Sequence, residues 1–111
     1  MTLQETLKTF GAALATIEGV TVRHYTRGKA APPFLVWQED GSDDFCADGV
    51  HSEGLVSGTA DYYTTTEFDQ NVETISVMLE QYADSWELVA VVYEEQTGMI
   101  HYSWDWEMSY G

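Results

Sequence analysis

Apolar side chains recur first at Leu3, Leu7, Phe10, Leu14 and Ile17. These alternating steps of four and three stack on one stripe of a helix. Thr2, with Glu5 three positions on, forms a capping-box signature, and Gly19 stands where a left-handed C-terminal cap belongs. The spacing predicts a helix over residues 3–18. Over 20–25 the period drops to two: Val20, Val22 and His24 alternate with Thr21, Arg23 and Tyr25, which predicts a half-buried strand. Pro32 and Pro33 cannot extend a hydrogen-bonded ladder, so residues 27–33 are expected to form an exposed connection. Residues 34–39, rich in large side chains including Trp37, predict a second strand.

The pattern then lapses. Residues 40–54 are rich in Asp, Ser and Gly, with little to bury beyond Phe45, Cys46 and Val50, and are expected to form a long acidic loop. A third strand is predicted over 55–65. Phe68, Val72, Ile75, Leu79, Tyr82 and Trp86 share one face of a second helix. Thr66 is its expected N-cap, with Glu67 and Asp69 against the positive end of the dipole. Residues 88–93, Leu-Val-Ala-Val-Val-Tyr, are apolar almost throughout, as in a central strand covered on both faces. Gly98 supplies the positive φ of a bulged hairpin turn after Glu94, and the last strand alternates Ile100, Tyr102, Trp104, Trp106 and Met108 with His101, Ser103, Asp105 and Glu107. The expected fold is one α+β domain over 1–111. Two amphipathic helices pack on a mainly antiparallel sheet of about five strands, in the order α-β-β-β-α-β-β.

Composition narrows what such a domain can do. At 111 residues the chain suits a single core, and four Trp, seven Tyr and four Phe give it large areas to bury. Its formal net charge is −15, from 19 acidic residues against four Lys and Arg. Direct binding to nucleic acid or to anionic membranes is therefore not expected, because the surface repels phosphate. Cys46 is the only cysteine, so no internal disulfide forms. The N-terminal residues lack the basic-then-apolar pattern of a secretion signal, and a cytosolic setting is expected.

No motif for chemistry emerges. His24, His51 and His101 lie on separate predicted elements without paired ligand spacing. Asp40, Ser42, Asp44, Cys46, Asp48 and His51 fall at the positions an EF-hand loop uses. Phe45, however, stands where glycine is needed, and His51 where the bidentate glutamate belongs, so a solvated acidic loop is the expectation. Cys46 sits among carboxylates that raise a thiol pKa, which argues against a nucleophile. Pairs such as Glu94 and Glu95, or Asp105 and Glu107, are ordinary in so acidic a chain, and the glycines match no phosphate-binding loop. No catalytic residue, metal ligand or cofactor is expected.

The charges are unevenly placed. Arg23, Arg27 and Lys29 are three of the four cations, whereas residues 40–54 include Asp40, Asp43, Asp44, Asp48 and Glu53. A small positive patch and a large negative one allow head-to-tail self-association, which makes a ring where the contact closes.

The stretch from Gly58 to Asp69, the helix after it, and the closing run from Tyr93 to Glu107 resemble small head–tail proteins of long-tailed phages and prophages. The order of elements is similar to that of the tail-terminator and tail-completion family. That resemblance implies a virion assembly subunit with no catalytic residues, joining its copies in a ring, commonly hexameric, that meets the tail tube and head–tail connector. It would act in the virion, and in the host cytoplasm during assembly. By position, residues 23–33 and 40–54 are the expected contact segments, with Arg23, Arg27, Lys29, Asp40, Asp43, Asp44 and Asp48 as their charged residues. A lumen lined by carboxylates would let DNA pass without sticking. The alternative is an acidic DNA mimic that occupies a DNA-binding enzyme.

Overall fold

The computed structural model describes the backbone of residues 1–47 and 50–111, with side chains outside 44–52. Seven elements follow one another: α1 (Leu3–Leu14), β1 (Thr21–His24), β2 (Phe34–Ala47), β3 (Val50–Thr64), α2 (Gln70–Tyr82), β4 (Ser85–Glu94) and β5 (Met99–Tyr110). The expected α+β order is the observed one. The strands form a single sheet in the order β1-β2-β3-β5-β4, with β1 parallel to β2 and every other pair antiparallel.

Both helices lie on one face of this sheet. Phe10, Leu14 and Ile17 from the α1 segment and Ile75 and Leu79 from α2 meet Leu35, Trp37, Val56, Ala60, Tyr62, Trp104, Trp106 and Met108 in one buried cluster. Two glycines allow the close approach. A Cβ on Gly11 would stand 2.6 Å from the Trp37 ring, and one on Gly58 would collide with Trp106 and the Gln38 carbonyl. The capping box of α1 forms as its sequence predicts: Thr2 Oγ1 accepts from the Glu5 amide at 3.2 Å, and the Thr2 amide donates to Glu5 Oε1 at 2.9 Å.

Four expectations need correction. Helix α1 stops at Leu14, not residue 18; Ala15 is its C-cap, and Ile17 reaches the core from a turn whose amide donates to Leu14. Gly19 does have positive φ, at +75°, but in the turn beyond the helix end.

The expected acidic loop is largely strand. β2 and β3 run as a long hairpin in which Gly41, Ser42 and Asp43 pair with Ser57, Val56 and Leu55, and Asp40 is the extra residue of a bulge. Cross-strand hydrogen bonding needs no apolar side chain, so a polar hairpin forms despite the lapse in pattern. The partner pairing of β3 with β5 ends at Gly54, so the hairpin continues beyond the sheet and the molecule measures 54 × 24 × 23 Å.

The N-cap of α2 is Asp69 rather than Thr66, and Phe68 is 92% exposed with φ +57° instead of joining the apolar helix face. Asp69 wins because its carboxylate serves two donors besides the helix: it accepts from the Asn71 amide of α2 at 2.9 Å, and from Tyr62 Oη at 2.6 Å and Thr64 Oγ1 at 2.7 Å. Trp86 belongs to β4.

The fourth correction is the largest: β4 is an edge strand, not a central one. β5 takes the interior place, between β3 and β4, and its predicted alternation holds, with Trp104, Trp106 and Met108 buried and Asp105 and Glu107 exposed. No described helix is long and apolar enough to cross a membrane.

Candidate assembly interface

Edge strand β4 is the most unusual surface of the molecule. Leu88, Val89, Val91, Val92 and Tyr93 are between 41% and 61% exposed. Scattered apolar residues are normal on a surface, but a contiguous run on a strand with a free hydrogen-bonding edge marks a place where another strand adds. Val89 is the extra residue of a bulge: Leu88 faces Trp104 on the helix-covered side, whereas Ala90 faces Ser103 on the open side. Consequently Tyr93 and Val91, opposite Ile100 and Tyr102, lie on the helix side, and Val92, Glu94 and Glu87, opposite His101, Met99 and Asp105, lie on the open side. Helix α2 packs toward the Trp86 end of β4, where Trp86 Nε1 donates to Glu80 at 2.6 Å. An open cleft of about 560 Å³ lies farther along, between Thr65, Glu67, Val91, Tyr93 and Ile100.

The opposite edge is β1, and it is basic. Arg23, paired with Val36, is exposed on the open face. The chain returns from β1 to β2 through 25–33, where Lys29 is exposed and Arg27 stacks its guanidinium 4.4 Å from the Phe34 ring while Nε donates to the Ala30 carbonyl at 3.0 Å. The expected exposed connection is thus observed, although Ala30 turns inward against Phe34 and Met99.

The structure separates these cations: Arg23 is on edge strand β1, Arg27 lies over Phe34 on the open face in a cleft that Glu94 also lines, and Lys29 is exposed in the connection. Asp40 and Asp43 are exposed on the projecting hairpin. The side chains of Asp44 and the whole of Asp48 lie outside the described residues.

The open face between the edges carries a stacked row that sequence reasoning did not assemble. Phe34, Tyr63 and His101 are direct cross-strand partners on β2, β3 and β5, with ring centroids 4.6 and 4.0 Å apart. One row further, Asp61 Oδ1 lies 2.8 Å from His101 Nε2 and accepts from Ser103 Oγ at 2.8 Å. Ser103 Oγ is also 3.1 Å from that same Nε2. A relay for nucleophilic attack needs one ring nitrogen for the hydroxyl and the other for the carboxylate. Here one nitrogen faces both, an arrangement that orients a carboxylate and does not activate a serine. Burial, with Asp61 and Glu94 nearby, raises the pKa of Tyr63 and keeps its phenol protonated. His101 had been expected on a polar strand face, and it is; only strand register could have disclosed Asp61 as its partner.

A second stack sits at the β1 edge. His24 lies between Tyr25 and Trp37 at 3.8 and 3.9 Å, and both His24 and the Tyr25 hydroxyl bond Glu39. That hydrogen bond raises the Tyr25 pKa. The described residues contain no group of three His, Cys, Asp or Glu placed to hold a metal ion. The EF-hand positions 40–46 belong to an extended strand, a different backbone geometry from a loop that wraps a cation. Comparison of the chain with protein-family models gives no match, and comparison with curated proteins gives none either.

Proposed function

We propose that the protein is a structural assembly subunit that joins its copies edge to edge. The observation that carries this reading is the exposed apolar strand β4. Covering roughly 25 cal/mol per Å² of apolar area is a strong drive to associate, and an added strand also satisfies the free backbone groups of the edge. The charge of −15 fits association that depends on a particular complementary surface, since nonspecific contact between copies is repelled.

The narrower reading is a tail-terminator or tail-completion subunit of a phage or prophage, forming a ring between tail tube and head–tail connector. Its supports are the resemblance of the 58–69 and 93–107 stretches, the order of elements and the long projecting β2–β3 hairpin, which suits contact with a neighbour or a tube. The test is the mass and shape of the purified chain by light scattering and electron microscopy across a concentration series. A closed ring of identical copies is expected; a monomer at every concentration overturns the reading.

A further inference from the structure

The two free edges of the sheet have complementary chemistry. β1 carries Arg23, with Arg27 and Lys29 in the connection that follows it. β4 carries Glu87 and Glu94, with Glu95 next in the chain, and no cation. Resting on the assembly reading, we infer that β4 of one copy adds to β1 of the next, so that the sheet runs on from subunit to subunit.

Three features agree with this pairing. The first is strand direction. β1, β2 and β5 point one way and β3 and β4 the other, so a copy displaced along the width of the sheet, same face up, brings its β1 antiparallel to β4. Antiparallel is the slightly more stable of the two ladders.

The second is the agreement of faces. Arg23 is on the open face, where Glu87 and Glu94 also lie; Val22, paired with Leu35 and packed on the core, is on the helix side with Val91 and Tyr93. The contact therefore puts Arg23 on the same face as Glu87 and Glu94, and the apolar side chains together on the other. Opposite charges across a strand pair stabilise it and like charges do the reverse.

The third is the weakness of the competing contact. Two β4 strands paired antiparallel about Val91, with Val89 out of register as the bulge residue, would place Glu87 of each copy opposite Glu94 of the other, in a chain that already carries −15. Pairing β4 with β1 is heterologous, so repetition closes a ring or extends a filament.

Charge reversal tests the inference. Arg23→Glu alters one edge; Glu87→Arg with Glu94→Arg alters the other. All three side chains are at the sheet edges, and circular dichroism of each variant checks that it folds. At about 0.15 M salt, where only near charges act, each single-edge variant is expected to fall to monomer mass by light scattering. Mixing the two, or combining all three substitutions in one chain, is expected to restore the wild-type mass. If Arg23→Glu assembles like wild type, β1 is no part of the contact and the inference is overturned with the assembly reading intact. A combined variant that stays monomeric also overturns it. A monomeric wild type overturns the assembly reading, and this inference with it.

Discussion

Strand β5 buries Trp104, Trp106 and Met108 beneath two helices, whereas β4, joined to it through the 95–98 turn, leaves five apolar side chains 41–61% exposed. The two arms of this hairpin differ more in surroundings than in hydrophobicity. Alternation in β5 assigns one face to the core and the other to solvent, and the chain itself supplies the cover. The unbroken apolar run of β4 asks for cover on both faces, and among the described residues that cover comes near Trp86, from α2. Hydropathy thus specifies what should be buried without specifying which molecule buries it.

The sharpest way to break this comparison is to remove a large side chain from β5. Trp106 is 1% exposed, and its indole N–H meets no acceptor among the described residues, so its loss is one of packing. Trp106→Ala is expected to cost about 3–5 kcal/mol, read from the midpoint of denaturant unfolding. A cost below about 1 kcal/mol would mean that β5 is not the core strand.

That β5 would be buried was legible in its two-residue period, and the capping box of α1 in Thr2 and Glu5. The place of β4 was not, because a continuous apolar run is common to an inner strand and to an edge that docks elsewhere. The 40–54 segment was opaque for a different reason: its strands pair through backbone hydrogen bonds, which leave no trace in side-chain pattern. For the site, the basic cluster of Arg23, Arg27 and Lys29 was visible by proximity in sequence. The Phe34, Tyr63 and His101 row depends on the register between three strands, which a linear pattern does not encode.

The cover over β5 depends in turn on α2, which places the fully buried Ile75 and Leu79 on the sheet. Asp69 anchors the start of that helix to β3 through Tyr62 and Thr64. Burial pushes the Asp69 carboxyl up, but the Thr64 and Tyr62 hydroxyls and the Asn71 amide outweigh it and hold the pKa below the usual value. Asp69→Ala removes the cap and the acceptor of two hydroxyl protons, those of Tyr62 and Thr64, an expected loss on the order of 2 kcal/mol. Because the folded pKa is depressed, the contribution of the carboxylate is complete above the unfolded value of about 3.9. It is lost as pH falls through the lower folded value. Tyr62 works in the opposite direction: burial and its bond to Asp69 raise it to about 12. Its share is complete below about 10 and is lost as pH rises toward the folded value. Acid and alkaline unfolding curves should therefore both flatten in Asp69→Ala. Curves with unchanged slopes would detach α2 from this anchor.

The smallest expected effect is the most informative about β4. Val91→Thr and Val92→Thr alter the helix-side and open-side faces respectively while keeping a β-branched residue that suits a strand. Introduced into the Arg23→Glu chain, each is read on a subunit without neighbours. Side chains already in water lose little when they become polar, so each should shift unfolding by no more than about 0.5 kcal/mol. In the otherwise wild-type chain the same substitutions should weaken assembly, since there the valines would be covered by the next copy. A cost above about 1.5 kcal/mol in the isolated subunit would mean that its own chain covers β4, and the contrast between the two arms of the hairpin would vanish.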